Sequence, residues 1–465
     1  MNCVEICREV GLKLKFSWGV DRSLVGSTYT DEEFINRLYF ENEYLFRHRP
    51  TYSVGGGIAL PSDEEIWADA KYAFVRQFLK EGESANDSKK RHLIVANEYT
   101  SLGNQYANGF IHRRIKLYQE AGLNIDVMAF GKRLEKDVYV YDGVHVLSGF
   151  YDELLGLLAS RAYESVSVHF MNPDMWAALK GNVPEHTPFL VYSHGYEVRN
   201  WTRMPYQITN RKSLDDHIER NLRSRDVWRD MYAPDSGITK FIFVSEWWKQ
   251  AVSEDVMIPF DSSRTAVIHN VIDSEMFPYR EKAPEQRFNL LWIRNASKWN
   301  YGADLAAEML RRLKSTPHWK NIRATIVGDG EYFSYFDQFQ DDENVSIHRG
   351  YLSHREISEL HKEHGLFLVP SRWDTQGVSR DEAMSSGLVP VTTPVDAIPE
   401  FVDNSCAILG DEEHFDEWFD QIVSLLNSPE KFARMSIAAA QRVRQQSTPA
   451  LTVQKEIHLM RGEDS

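Results

Sequence analysis

Short apolar runs alternate with amphipathic segments along most of this chain. A helix is predicted at residues 110–122, where the pattern ends at a glycine. The apolar runs of the first half predict β-strands at residues 92–97, 124–130, 165–170, 189–194 and 240–245. Such alternation is typical of a parallel sheet that helices cover on both faces.

A second series of the same kind begins near Phe288. Its predicted helices lie at residues 303–314, 354–365 and 380–387. Its predicted strands lie at residues 289–294, 324–330, 344–350, 366–370 and 389–393. Two doubly wound halves fit a length of 465 residues, so the pattern predicts an α/β protein with two Rossmann-like domains.

Residues 1–90 do not follow this alternation. Helical segments are predicted at residues 31–46 and 63–80, and the polar break at 81–91 is expected to be a linker. A charged, proline-bearing connector at 278–286 is expected to be the hinge between the two halves. We therefore divide the chain into an N-terminal extension of unknown role (1–90), an N-terminal domain (91–278), a C-terminal domain (279–446) and a terminal helix (447–465).

The charge and cysteine content narrow the possible functions. The chain has 53 Lys and Arg against 68 Asp and Glu, a formal net charge of −15. We expect no nucleic-acid partner, because binding to phosphate backbones needs an excess of cations. Three cysteines without metal-ligand spacing favour a reducing compartment. Neither a signal-like start nor a membrane-spanning apolar window is visible, so a cytoplasmic protein is predicted.

The most informative segment is residues 366–400, where a buried strand turns into a helix between two carboxylates, Asp374 and Glu382. Ligands of parallel sheets bind at the carboxyl ends of the strands, where helix N-termini offer free N–H groups to phosphate. Gly377 lies at such a place. The arrangement suits a ligand that carries both hydroxyl and phosphate groups.

This segment resembles the signature P-S-x-x-E-G-F-G-L-x-x-x-E-A-M-A-x-G of retaining glycosyltransferases of family 4. The matching residues are Pro370, Ser371, Gly377, Glu382, Ala383, Met384 and Gly387. Asp374 stands where the family has its first glutamate, so the carboxylate is kept on a shorter side chain. The resemblance covers roughly residues 92–462 and is stronger in the second half. It implies a GT-B fold, in which two Rossmann-like domains face each other across an active-site cleft.

The resemblance also implies roles for the residues of this segment. Asp374 would hydrogen-bond the donor sugar and Glu382 would hold the ribose hydroxyls. The backbone amides of Gly377, Val378 and Ser379 would meet sugar and phosphate. These roles agree with the chemistry, because carboxylates accept hydrogen bonds from hydroxyls and helix-start amides stabilise negative charge.

Arg294 and Lys298 follow a predicted strand and resemble the family's diphosphate-binding pair. Breaking the anomeric bond of a sugar nucleotide adds charge to the leaving phosphate, so cations must face it. The alternative is that both are exposed charges in a loop.

Further candidates lie at other strand ends. His194 ends the strand at 189–194, where the family places a histidine near the reacting sugar, and His169 is a second choice in a similar setting. Gly103 lies in the loop after the first strand. In the family this loop lies at the cleft, against the donor phosphate or the acceptor. Gly328, Tyr351 and Leu352 match family positions, the last two at the nucleotide base. For these loop positions, a purely structural turn is an equal alternative.

The resemblance thus implies a retaining, metal-independent glycosyltransferase that needs no cofactor, with His194, Asp374, Arg294 and Lys298 as catalytic residues. Its partners would be a nucleotide diphosphate sugar and a glycan or lipid-linked acceptor. Bacterial surface polysaccharide synthesis, at the inner face of the cell membrane, is the expected setting. Three alternatives remain: a non-catalytic GT-B binding module, a sugar phosphorylase on the same fold, and a two-step route through an enzyme nucleophile.

Overall fold

The computed structural model describes residues 58–82, 90–102, 107–198, 200–203, 207–208 and 210–463. Within them the chain folds around two separate β-sheets, as the two apolar series predicted. The predicted helix at 31–46 lies outside the described residues.

The N-terminal sheet has eight strands in the order β3-β4-β2-β1-β5-β6-β7-β8. The strands are β1 (Arg91–Ala96), β2 (Asn124–Phe130), β3 (Asp137–Tyr141), β4 (Val144–Gly149), β5 (Ser165–His169), β6 (Phe189–Ser193), β7 (Lys240–Phe243) and β8 (Thr265–Val267). All neighbours are parallel except β3, which pairs antiparallel with β4. The hairpin of β3 and β4 was not predicted from the sequence.

The N-terminal domain also contains helices, the first two of which precede β1 in the sequence. They are α1 (Asp63–Ala68), α2 (Ala73–Gly82), α3 (Gly109–Glu120), α4 (Tyr151–Ser160), α5 (Pro173–Leu179), α6 (Arg211–Met231) and α7 (Glu246–Val256). The single helix predicted at 63–80 is wrong, because Asp69 is extended and its carboxylate caps a new turn at Lys71. Ile66, Val75 and Phe78 of α1 and α2 belong to the core of the N-terminal domain.

The C-terminal sheet has six parallel strands in the order β11-β10-β9-β12-β13-β14. Its strands are β9 (Asn289–Asn295), β10 (Arg323–Asp329), β11 (Val345–Arg349), β12 (Leu366–Val369), β13 (Val389–Thr392) and β14 (Ile408–Leu409). Its helices are α8 (Ala303–Lys314), α9 (His354–Glu363), α10 (Val378–Ser385), α11 (Ile398–Phe401), α12 (Phe415–Leu426) and α13 (Pro429–Gln446).

The last helix, α14 (Pro449–Met460), leaves the C-terminal domain and packs on α3 of the N-terminal domain. Its buried Glu456 accepts hydrogen bonds from Arg114 Nε at 2.9 Å and from the Tyr118 hydroxyl at 2.6 Å. The terminal helix therefore joins the two domains. None of the helices in the described part of the chain is both long and apolar enough to cross a membrane.

Candidate active site

A cavity of about 1020 Å³ lies between the two domains. From the N-terminal domain it is lined by Phe110, Phe170 and His194, and from the C-terminal domain by residues at the ends of β9, β10 and β12. This is the carboxyl edge of both sheets, where parallel sheets bind their ligands.

Most residues singled out in the sequence line this cavity. They are His194, Arg294, Gly328, Tyr351, Leu352, Asp374, Gly377, Val378, Ser379 and Glu382. Lys298 is not among the lining residues; its Nζ lies 5.5 Å from the ring centroid of Tyr196, beyond the end of β6. Gly103 lies outside the described residues.

Arg294 lies near the end of β9, where the backbone of β10 packs closely against it. Gly328 has φ 156°, and a Cβ there would come within 2.1 Å of the carbonyl oxygen of Arg294. The Arg294 guanidinium lies 5.2 Å from the Tyr301 ring centroid, and its Nη2 is 3.5 Å from Ser371 Oγ. Its Nε is buried without a hydrogen-bond partner. A buried donor of this kind favours an anionic ligand in the cavity.

The N-terminus of α10 faces the same space. Gly377 precedes the helix with φ 95° and offers no side-chain cap, so the first-turn amides have no intrahelical acceptor. The hydroxyl of Ser379 is also buried without a partner. Backbone donors at a helix start, together with the helix dipole, stabilise phosphate.

Asp374 reaches the site on a loop that contacts the end of β6. The Thr375 hydroxyl donates to the carbonyl oxygen of His194 at 2.7 Å. Gly195 permits this approach, since a Cβ there would lie 2.5 Å from Thr375 Cγ2. The Asp374 carboxylate accepts from the Gln376 amide at 3.2 Å. The loop therefore bonds to the backbone of the predicted histidine, and Asp374 and His194 both line the cavity.

His194 is paired with His169. Nε2 of His194 and Nδ1 of His169 lie 2.8 Å apart, so one ring must donate to the other. Burial lowers the pKa of both imidazoles well below the ordinary value, which keeps them neutral. Nδ1 of His194 is buried without a partner. His169 thus orients the ring of His194, and this pairing could be expected from two histidines at the ends of neighbouring parallel strands.

Glu382, on α10, also lines the cavity. Its Oε1 is 3.9 Å from Nε2 of His354, the first residue of α9. Burial raises the pKa of Glu382 from its ordinary 4.5 to about 8, and the positive charge of Arg113 opposes that rise. Arg113, on α3, forms an ion pair with Asp273. Sequence reasoning missed Arg113 and His354 because neither belongs to a motif.

Residues 287–428 match the family described as glycosyl transferases group 1. The match lies within the C-terminal domain and includes no residue of the N-terminal domain. The described part of the chain has the GT-B fold, as its similarity to solved structures shows. No curated protein sequence matches the chain significantly.

The similar structures each cover about four fifths of this chain. Sucrose-phosphate synthase from Thermosynechococcus elongatus is 12% identical with a TM-score of 0.61, over 80% of this chain and 99% of its own. WaaG, a glycosyltransferase involved in lipopolysaccharide biosynthesis, is 14% identical with a TM-score of 0.58, over 80% and 100%. An E. coli trehalose-6-phosphate structure bound with UDP-2-fluoro glucose is 10% identical with a TM-score of 0.57, over 79% and 99%.

The raised pKa of Glu382 predicts that the stability of the protein depends on pH. Between pH 4.5 and about 8 the unfolded chain has lost the proton that the folded protein keeps. This group should therefore lower the free energy of unfolding by about 1.4 kcal/mol per pH unit across that range. Glu382→Gln has no proton to lose, so its midpoint of thermal unfolding should increasingly exceed that of the wild type as pH rises. Parallel midpoint curves for the two proteins would contradict the expectation.

Proposed function

We propose that this protein is a retaining, metal-independent glycosyltransferase. It transfers a hexose-type sugar from a nucleotide diphosphate sugar to a glycan or lipid-linked acceptor. The observation that carries the proposal is the convergence, in one interdomain cavity, of a cation, a free helix N-terminus and two carboxyl groups, namely Arg294, the start of α10, Asp374 and Glu382. A sugar nucleotide needs all of these, because it presents phosphate charge and hydroxyl groups together.

In this proposal the C-terminal domain holds the donor. The guanidinium of Arg294 and the amides of Gly377 to Ser379 stabilise the charge that develops on the leaving diphosphate. Asp374 accepts from hydroxyls of the donor sugar, and Glu382 accepts from those of the ribose. His194 and the apolar rings of Phe110 and Phe170 shape the side of the cavity from which the acceptor enters.

The reaction would break the bond between the anomeric carbon and the β-phosphate oxygen and form one to the acceptor oxygen. The acceptor's proton passes to the departing phosphate on the same face of the sugar, so no dedicated base is required. Retention of anomeric configuration follows from the family resemblance, and closure of the domains would exclude water from the cavity.

Two similar structures support the choice of substrates. One is bound with UDP-2-fluoro glucose, a nucleotide sugar analogue, and WaaG takes part in lipopolysaccharide biosynthesis. By analogy we propose a role in surface polysaccharide synthesis, with the protein working in the cytoplasm at the inner face of the membrane.

Calorimetry with a panel of sugar nucleotides and their free diphosphates tests the proposal. UDP-glucose, UDP-N-acetylglucosamine, GDP-mannose and ADP-glucose are suitable probes. We expect one base to bind in the micromolar to millimolar range, with donor turnover that survives a metal chelator. Binding without any hydrolysis or transfer would favour the non-catalytic binding module instead, and the absence of binding by every probe would reject the proposal.

A further inference from the structure

The loop that carries Asp374 belongs to the C-terminal domain, yet its side chains contact the N-terminal domain. The Trp373 ring stands edge-on to Trp248 of α7, with ring centroids 6.1 Å apart. The Thr375 hydroxyl donates to the carbonyl oxygen of His194. The Gln376 side chain bonds to the backbone of Asn270, in the segment between β8 and β9.

The side chain of Gln376 is fully buried and makes three hydrogen bonds. Its Oε1 accepts from the Asn270 amide at 2.6 Å, and its Nε2 donates to the Asn270 carbonyl at 3.1 Å and to Asp381 Oδ2 at 3.2 Å. The Asn270 side chain in turn accepts from Arg114 Nη1 at 2.9 Å. A buried polar network extends from α3 through this segment to the start of α10.

The hydrogen bonds of Thr375 and Gln376 come from positions where the chain departs from the signature that it resembles. The signature has Gly-Phe after its first glutamate, whereas this chain has Thr375 and Gln376 after Asp374. Neither a glycine nor a phenylalanine side chain could make these hydrogen bonds. The two replacements and the shorter acid occupy three consecutive positions.

We infer that Thr375 and Gln376 are positioning residues that lock the Asp374 loop against the N-terminal domain, Thr375 at the end of β6 and Gln376 at the segment after β8. They set the distance between Asp374 and His194, and hence the place of the donor sugar relative to the acceptor side. A satisfied buried network allows one arrangement of the loop, because moving it would leave buried amide groups unpaired. The catalytic part of this inference rests on the proposed function; the lock itself does not.

Hydrogen exchange of the ligand-free protein tests the lock directly. Gln376→Leu keeps the approximate volume but removes the acceptor of the Asn270 amide, so peptides that cover residues 268–273 should exchange at least tenfold faster. Thr375→Val should loosen residues 189–198 in the same way. Unchanged exchange in both variants, with the fold intact, would overturn the inference whether or not the protein transfers sugar.

Glu400→Ala is the matched control. The Glu400 carboxylate also bridges the domains, accepting from the Glu246 amide at 3.0 Å and from that of Trp247, but it lies outside the Asp374 loop. If the loss of any interdomain contact accelerates exchange, Glu400→Ala should behave like Gln376→Leu. If the loop itself is locked by Gln376, Glu400→Ala should exchange like the wild type at residues 268–273.

Kinetics with the donor selected by the nucleotide panel test the consequence for transfer. We expect Gln376→Leu and Thr375→Val to lower kcat about tenfold while the affinity for the free nucleoside diphosphate changes less than about threefold. Thr375→Ser, which keeps the hydroxyl, should restore kcat. An equal loss in Thr375→Ser, or a loss confined to nucleotide affinity, would refute the positioning role. A wild type that turns over no donor would instead refute the proposed function.

Discussion

Arg294→Ala is expected to lower kcat/KM for sugar transfer by about a thousandfold. The guanidinium lies inside the cavity at the end of β9, and its buried Nε has no hydrogen-bond partner among the residues that the structure describes. Preorganised cations stabilise a leaving diphosphate more in the transition state than in the ground state, so the loss should fall mainly on kcat. Arg294→Lys keeps the charge without the planar donors and should lose less activity. Steady-state kinetics with the donor selected by calorimetry measure both effects.

Arg311→Ala provides the control for a lost arginine. Arg311 is an exposed residue of α8 in the same domain and forms an ion pair with Glu308 on the same helix. Its removal should leave kcat/KM unchanged. If Arg294→Ala retains activity within about threefold of the wild type, Arg294 has no part in stabilising the leaving group.

Arg114→Ala is expected to destabilise the protein by about 3–5 kcal/mol. The side chains of Arg114 and Glu456 are both fully inaccessible to solvent, and their ion pair joins α3 to the terminal helix α14. Removal of the arginine leaves a carboxylate buried without its counter-charge, and it also removes a donor from Asn270. Chemical denaturation followed by circular dichroism should show an earlier midpoint, with α14 released from the N-terminal domain.

An exposed ion pair provides the control, because its loss removes a salt bridge without leaving a buried charge. Lys212 and Asp216 of α6 lie 2.8 Å apart on the surface, and Lys212→Ala should not move the midpoint measurably. The double variant Arg114→Met with Glu456→Leu should be more stable than Arg114→Ala alone, because it leaves no uncompensated charge. A double variant that is less stable than Arg114→Ala would show that the hydrogen bonds of Glu456 to other groups dominate.

Elements with strong local periodicity were predicted closely from the sequence. The helix at 303–314 has the predicted bounds, because its apolar positions repeat at the helical period and a glycine precedes it. The hairpin of β3 and β4 was missed, although Asp142-Gly143 between its strands is a typical hairpin turn with both residues at positive φ. The break at Asp69 was missed because a capping side chain interrupts an otherwise continuous amphipathic pattern.

For the candidate site, local sequence patterns were enough to predict residues at the carboxyl edge of the C-terminal sheet. Asp374, Gly377 and Glu382 lie within a few residues of one another, so a local pattern was enough to place them on one strand-to-helix turn. The groups near them, Arg113 and the His169–His194 pair, could be identified from the structure alone. The same holds for the hydrogen bonds from Thr375 and Gln376 to the other domain. Those contacts join residues far apart in the chain. Their geometry depends on how the two domains and the terminal helix pack, which no local periodicity encodes.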